Sequence, residues 1–172
     1  MEKTNRLSVI ASSGLRPPAH GFESRSRHAD RTTPFAKLPS IRDPANEGRL
    51  DHFIQRDGLL FAGTHLIVDL WHASNLDDLP AVELALRDAA DRAGATLLNV
   101  DLHHFSPNGG ISGVAVLAES HISIHTWPDI GYAALDVFMC GKAVPDACVP
   151  VLRKAFKAKR VEVSEILRGL DP

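Results

Sequence analysis

Hydrophobic positions recur at regular periods from about residue 59 to residue 167, and almost nowhere before that. Thr64-His65-Leu66-Ile67-Val68-Asp69-Leu70 has a β-branched, strand-like composition and reads as the first strand. Asn75 to Gly94 reads as a helix: Asp77 and Asp78 lie at its start, Pro80 suits the first turn, and Val82, Ala85, Leu86, Ala89 and Ala93 recur at helical spacing before Gly94 stops it. Strands are expected at roughly 96–105, 112–118, 120–127 and 132–140. Gly109-Gly110 breaks the first pair, and Pro128-Asp129-Ile130-Gly131 turns between the last two. A second helix is expected from near Pro145 to about Lys159, with Pro150 producing a local irregularity, and a last strand from Arg160 to Leu167.

Four consecutive strands imply antiparallel pairing. The whole order is that of an α+β fold: a largely antiparallel sheet with two helices on one face, forming two layers. Such a sheet leaves its other face in need of cover. Residues 1–57, rich in Ser, Arg and Pro, read as a flexible N-terminal extension, and 58–172 as one catalytic domain.

Composition narrows the class. The chain has 172 residues, 44% of them hydrophobic, enough for one core once the extension is set aside. The first 57 residues hold ten Lys/Arg against seven Asp/Glu, and the remaining 115 hold nine against fourteen. Neither part is basic enough to argue for nucleic acid. No apolar run reaches membrane-spanning length, and Glu2, Glu23 and Asp30 interrupt any signal-like start, so no membrane partner is expected. Two cysteines, Cys140 and Cys148, make no disulfide framework and fit a reducing, cytoplasmic compartment.

The chemistry concentrates in Glu119-Ser120-His121-Ile122-Ser123-Ile124-His125-Thr126-Trp127-Pro128, followed by Gly131-Tyr132-Ala133-Ala134-Leu135-Asp136-Val137-Phe138-Met139-Cys140-Gly141. Ser120 follows an apolar run, so the Glu119–Ser120 peptide is expected near a hairpin tip, where a bond can be strained and accessible. His125 offers an imidazole that titrates near neutral pH. Ser120 and His125 are five apart, so an uninterrupted strand points them to opposite faces. His125 is therefore expected to reach the Ser120 of a second copy, with two sites at the dimer interface.

This ordered set, together with the segments around it over about residues 59–168, resembles the bacterial pyruvoyl-dependent S-adenosylmethionine decarboxylase proenzymes. The resemblance implies self-cleavage between residues 119 and 120, with Ser120 becoming a pyruvoyl group whose carbonyl forms a Schiff base with the substrate amine and withdraws electrons as CO2 leaves. It implies decarboxylation of S-adenosylmethionine for spermidine synthesis, and a homodimer stacking sheet on sheet as a four-layer αββα sandwich. It implies too that Cys140, in Phe138-Met139-Cys140-Gly141, reprotonates the carbon left by CO2, that Ser112 helps position the cleaved peptide and the substrate, and that His125 is the processing base. Phe105 and Trp127 fall where aromatic rings could hold an adenine. Asp129 stands where the family usually has glutamate, suited to a ribose diol; the aspartate keeps the charge with a shorter reach.

Two other readings stay open at this point. The same chemistry could act on L-arginine or L-ornithine, because it demands only an α-amino acid. His103, His104, His121 and His125 with Cys140 could instead be metal donors in a non-enzymatic protein, although no C-x-x-C or H-E-x-x-H accompanies them and no metal is expected. Cys148 matches no site and reads as a core residue.

Overall fold

In the computed structural model, residues 52–170 are described; the rest of the expected extension, residues 1–51, lies outside them. The described chain runs β1 (Ile54–Arg56), β2 (Leu59–Phe61), β3 (Gly63–Trp71), α1 (Leu79–Arg92), β4 (Leu97–His104), β5 (Ile111–Leu117), β6 (Ser120–Trp127), β7 (Tyr132–Met139), α2 (Cys148–Ala155) and β8 (Arg160–Arg168). Strands β3 to β8 form one antiparallel sheet in the order β4-β5-β6-β7-β3-β8.

Alternation along the strands decides what each face carries. On β3, Leu66, Val68 and Leu70 are buried while His65, Ile67, Asp69 and Trp71 between them are only partly covered. On β7 the same period buries Ala133, Leu135, Val137 and Met139. The buried set packs with Val82, Ala85, Leu86, Ala89 and Ala90 of α1 and Cys148 and Leu152 of α2 into one core. Each fully buried leucine of that set contributes roughly 1.5–3 kcal/mol. Both helices thus cover one face, and the opposite face stays open.

Local chemistry sets the ends. Asp78 caps α1, its side chain accepting from the Ala81 N–H at 3.0 Å, with Pro80 in the first turn. The helix therefore starts later than expected: Asn75 sits in a left-handed conformation (φ 63°) and donates its side-chain amide to the Ala155 carbonyl at 3.1 Å. The second helix is shorter than expected as well, a 3-10 turn at Pro145–Ala147 leading into α2, which stops at Ala155 before Lys157 takes a positive φ of 51°. Gly113 is required by close approach, since a Cβ there would stand 2.1 Å from the Asp101 carbonyl oxygen of β4.

The hairpin β1–β2 lies earlier than the first expected strand. Asp57 (φ 53°) and Gly58 (φ 79°) make its two-residue turn, the geometry that Asp-Gly favours. Its anchors are Arg56, paired with Glu165 of β8 at 2.6 Å and lying over the Phe61 ring, and Phe61 itself, fully buried. Among the described residues, no helix is long and apolar enough to cross a membrane.

Candidate active site

Strand β6 carries chemistry at both ends. At its start, Leu117 of β5 pairs with Ser120, leaving Ala118 and Glu119 as a two-residue loop. Glu119 occupies the left-handed region at φ 64°, a conformation costing a non-glycine residue about 1–2 kcal/mol. Ser120 Oγ accepts a hydrogen bond from the Cys140 backbone N–H at 3.1 Å, where β7 ends beside it. The Glu119 carboxylate is paired with the His52 imidazole. These groups line a hollow of about 210 Å³, together with Thr96, Gly141 and Lys142.

Cys140 is half-buried in that hollow, and its thiol is pushed up from the usual range first by burial and second by the Glu119 carboxylate. It therefore holds its proton at neutral pH. A protonated thiol beside Ser120 is an acid in waiting, not a nucleophile.

At the other end of β6, His125 Nδ1 lies 2.8 Å from Ser112 Oγ across the β5–β6 rung. Trp127, Pro128, Asp129, Phe105 and Asn108 complete a second hollow of about 230 Å³. Trp127 and Phe105 are 46% and 47% exposed, so neither is a core aromatic and both rings are available to a ligand. Tyr132 stacks between Trp127 (5.1 Å between centroids) and Trp71 (4.4 Å), and its hydroxyl donates to Asp69 at 2.5 Å, which pushes the phenol up to about 12.

The two hollows are separate. Ser120 has the parity of Ile122 and Ile124, which face the helices, whereas His121, Ser123, His125 and Trp127 face the open side. Five residues of strand put Ser120 and His125 about 17 Å apart. The structure thus joins Glu119, Ser120 and Cys140 at one end, and Ser112, His125, Trp127, Asp129 and Phe105 at the other. It does not bring Ser120 and His125 of one chain together.

His121 stands between the ends, against the Phe138 ring at 5.7 Å, and its pKa is lowered by burial first and by His65 second. His103 sits against Phe105 at 4.5 Å. Among the described residues, no three His, Cys, Asp or Glu side chains gather as a metal donor set. A larger hollow, about 510 Å³ between α1 and α2, is lined by Leu84, Asp88, Arg92 and Lys154, and by neither Ser120, His125 nor Cys140.

Two contributors escaped the sequence reading. Tyr132 was recognisable as the hairpin partner of Trp127 across the Pro128–Ile130 turn, the rung that stacks their rings. His52 had no signal, since it lies far along the chain in a segment with no periodic pattern.

The family model described as S-adenosylmethionine decarboxylase matches residues 64–169. Over 109 residues the chain is 50% identical to the S-adenosylmethionine decarboxylase proenzyme of Thermomicrobium roseum, a match spanning 63% of this chain and 94% of that protein. It is 52% identical over 111 residues to the proenzyme of the same name from Methanococcus vannielii, spanning 63% and 90%. Among solved structures, the crystal structure of the adenosylmethionine decarboxylase from Aquifex aeolicus aligns with a TM-score of 0.56 at 30% identity, covering 63% of this chain and 92% of that one. Ser112, Ser120, His125 and Cys140 all fall inside the matched region, and His52 falls before it.

Proposed function

The chain belongs to the S-adenosylmethionine decarboxylase family, and from that premise we propose that it cuts itself between Glu119 and Ser120, turning Ser120 into the pyruvoyl group with which it decarboxylates S-adenosylmethionine. The observation that carries this reading is the Ser120 hydroxyl, held by the Cys140 N–H immediately after a glutamate in a strained left-handed conformation. The arginine and ornithine alternatives are not favoured, because the relatives at about 50% identity are S-adenosylmethionine decarboxylase proenzymes.

The cut uses the chain's own atoms. Ser120 Oγ adds to the Glu119 carbonyl carbon, the Glu119–Ser120 C–N bond breaks, and the acyl group rests on oxygen as an ester with the amine freed. A base removes the Ser120 Cα proton, the Cβ–O bond breaks, and Glu119 leaves as a carboxylate. Water then replaces the nitrogen, which departs as ammonia, leaving a keto group on the new N-terminus. Relief of the Glu119 backbone strain favours the first step.

The base is His125 of a second copy. Within one chain it lies at the far end of β6 on the opposite face, so a second copy whose His125 end lies beside the Ser120 end of the first supplies it. To act through Nε2, the imidazole donates its Nδ1–H to Ser112 Oγ, so Ser112 selects the tautomer and holds the ring. Such a dimer holds two sites, each built from both copies.

When present, the pyruvoyl group supplies an electron-accepting carbonyl for the substrate amine. The hollow fits it: Ser120 and Cys140 line the same space. Cys140, kept protonated by burial and by Glu119, delivers the proton that replaces CO2 on the α-carbon. Trp127 and Phe105 of the copy that supplies His125 stack on the adenine, and its Asp129 accepts from the ribose hydroxyls. Intact mass after incubation tests the reading: fragments 1–119 and 120–172 are expected, with the second blocked by a keto group. A Ser120→Ala chain is expected to stay at 18.7 kDa. A wild-type chain that stays whole, or one releasing CO2 from arginine or ornithine in preference to S-adenosylmethionine, refutes it.

A further inference from the structure

The residue paired with the scissile carboxyl side comes from outside the family-matched region. His52 lies twelve positions before the match begins at residue 64, yet it closes the hollow around Ser120. Two of its attachments lie there. Its backbone carbonyl accepts from the Gly141 N–H at 3.0 Å, next to Cys140, and its imidazole pairs with the Glu119 carboxylate. The hairpin behind it is tied to the domain by the Arg56–Glu165 ion pair and the buried Phe61 ring. His52 therefore bridges the two strand ends that flank Ser120, the β5–β6 loop and the exit of β7.

We propose that His52 is a positioning residue for self-cleavage, which clamps Glu119 in its left-handed conformation and keeps the scissile carbonyl carbon in reach of Ser120 Oγ. This rests on the self-cleavage reading above. A free Glu119 side chain would let the residue relax toward ordinary φ values, turning its carbonyl away and discharging the strain without breaking a bond. The imidazole opposes that relaxation by holding the far end of the side chain. Held by the Gly141 N–H through its own carbonyl, His52 is itself fixed, so the clamp transmits position and not charge alone. After the cut, Glu119 is the C-terminal residue of fragment 1–119, and the same imidazole keeps the new terminus beside Cys140.

The test follows the conversion of the full chain into fragments 1–119 and 120–172 by intact mass, in a double-mutant cycle. His52→Ala is expected to slow conversion about fivefold, a size suited to one partly exposed side-chain contact. His52→Gln, which keeps a side-chain donor for the Glu119 carboxylate, recovers most of the rate. In a Glu119→Gln chain, itself slowed, adding His52→Ala produces no further slowing, whereas a general folding defect would slow both backgrounds alike. Equal rates for wild type and His52→Ala, or the same slowing in the Glu119→Gln background, overturn the role of His52. A wild-type chain that never cleaves, or parts at another bond, overturns the self-cleavage reading instead.

Discussion

Ser112 Oγ lies 2.8 Å from His125 Nδ1 while Ser120, on the same strand as His125, points to the other sheet face. A site needing both Ser120 and His125 is therefore completed between copies. Mixing Ser120→Ala chains with His125→Ala chains is expected to produce cleavage in the His125→Ala copies alone, which keep their serine and borrow the histidine. Fragments on a denaturing gel check this, and an absence of cleavage in verified mixed dimers would sink the shared site.

Removing the Ser112 hydroxyl frees the imidazole to rotate and to choose its tautomer. Ser112→Ala is expected to slow self-cleavage about tenfold, in line with the loss of one orienting hydrogen bond at a catalytic base. Ser112→Thr, which keeps the hydroxyl, is expected to retain most of the rate.

Cys140 and Ser120 share a hydrogen bond through the Cys140 backbone, so the thiol is not needed to hold the serine. Cys140→Ala is expected to cleave normally and then to decarboxylate S-adenosylmethionine about a hundredfold more slowly. Because burial and Glu119 raise the thiol, alkylation of Cys140 by iodoacetamide is expected to be slower at pH 7 than that of an exposed cysteine.

Cys148, fully buried with its Sγ 3.4 Å from the Ala89 carbonyl, has its thiol pushed up to about 12 from 9.0, chiefly by burial. In the unfolded chain it ionises from about pH 9, while the folded chain still holds the proton. The unfolded state therefore binds fewer protons, and stability is lost as pH rises from about 9 to about 12. Tyr132 and Cys140 shift in the same direction, so the wild-type curve compared with that of Cys148→Ala isolates this residue. The Cys148→Ala chain is expected to show a shallower fall of thermal midpoint with pH.

Gly113 faces the Asp101 carbonyl so closely that a methyl group cannot enter without moving β4. Gly113→Ala is expected to destabilise the fold by more than about 2 kcal/mol, read as a lowered denaturant midpoint. Cleavage should slow with it, since the next residue back is Ser112.

Much of the architecture was legible because it rests on local period. Alternation marked β3, β5, β6 and β7 within a residue or so of their ends, and Asp78, Pro80 and Gly94 bounded α1. The parity of Ser120 and His125 was readable for the same reason, as period two is a property of any extended strand. Asn75 was assigned to the helix because nothing local separates a capping turn from a first turn; its bond to Ala155 is a tertiary contact. The β1–β2 hairpin did carry a signal in Asp57-Gly58, hidden by the polar stretch before it.

The sequence by itself determined which reactive side chains stand along β5, β6 and β7 and on which strand face each lies, because side-chain type and strand period are local properties. Only the tertiary structure decided which of them meet. Cys140 reaches Ser120 because β7 returns antiparallel beside β6, Ser112 reaches His125 because β5 pairs with it in one register, and His52 reaches Glu119 because a buried Phe61 anchors its hairpin. Those meetings follow from long-range pairing and burial, which no window along the chain contains.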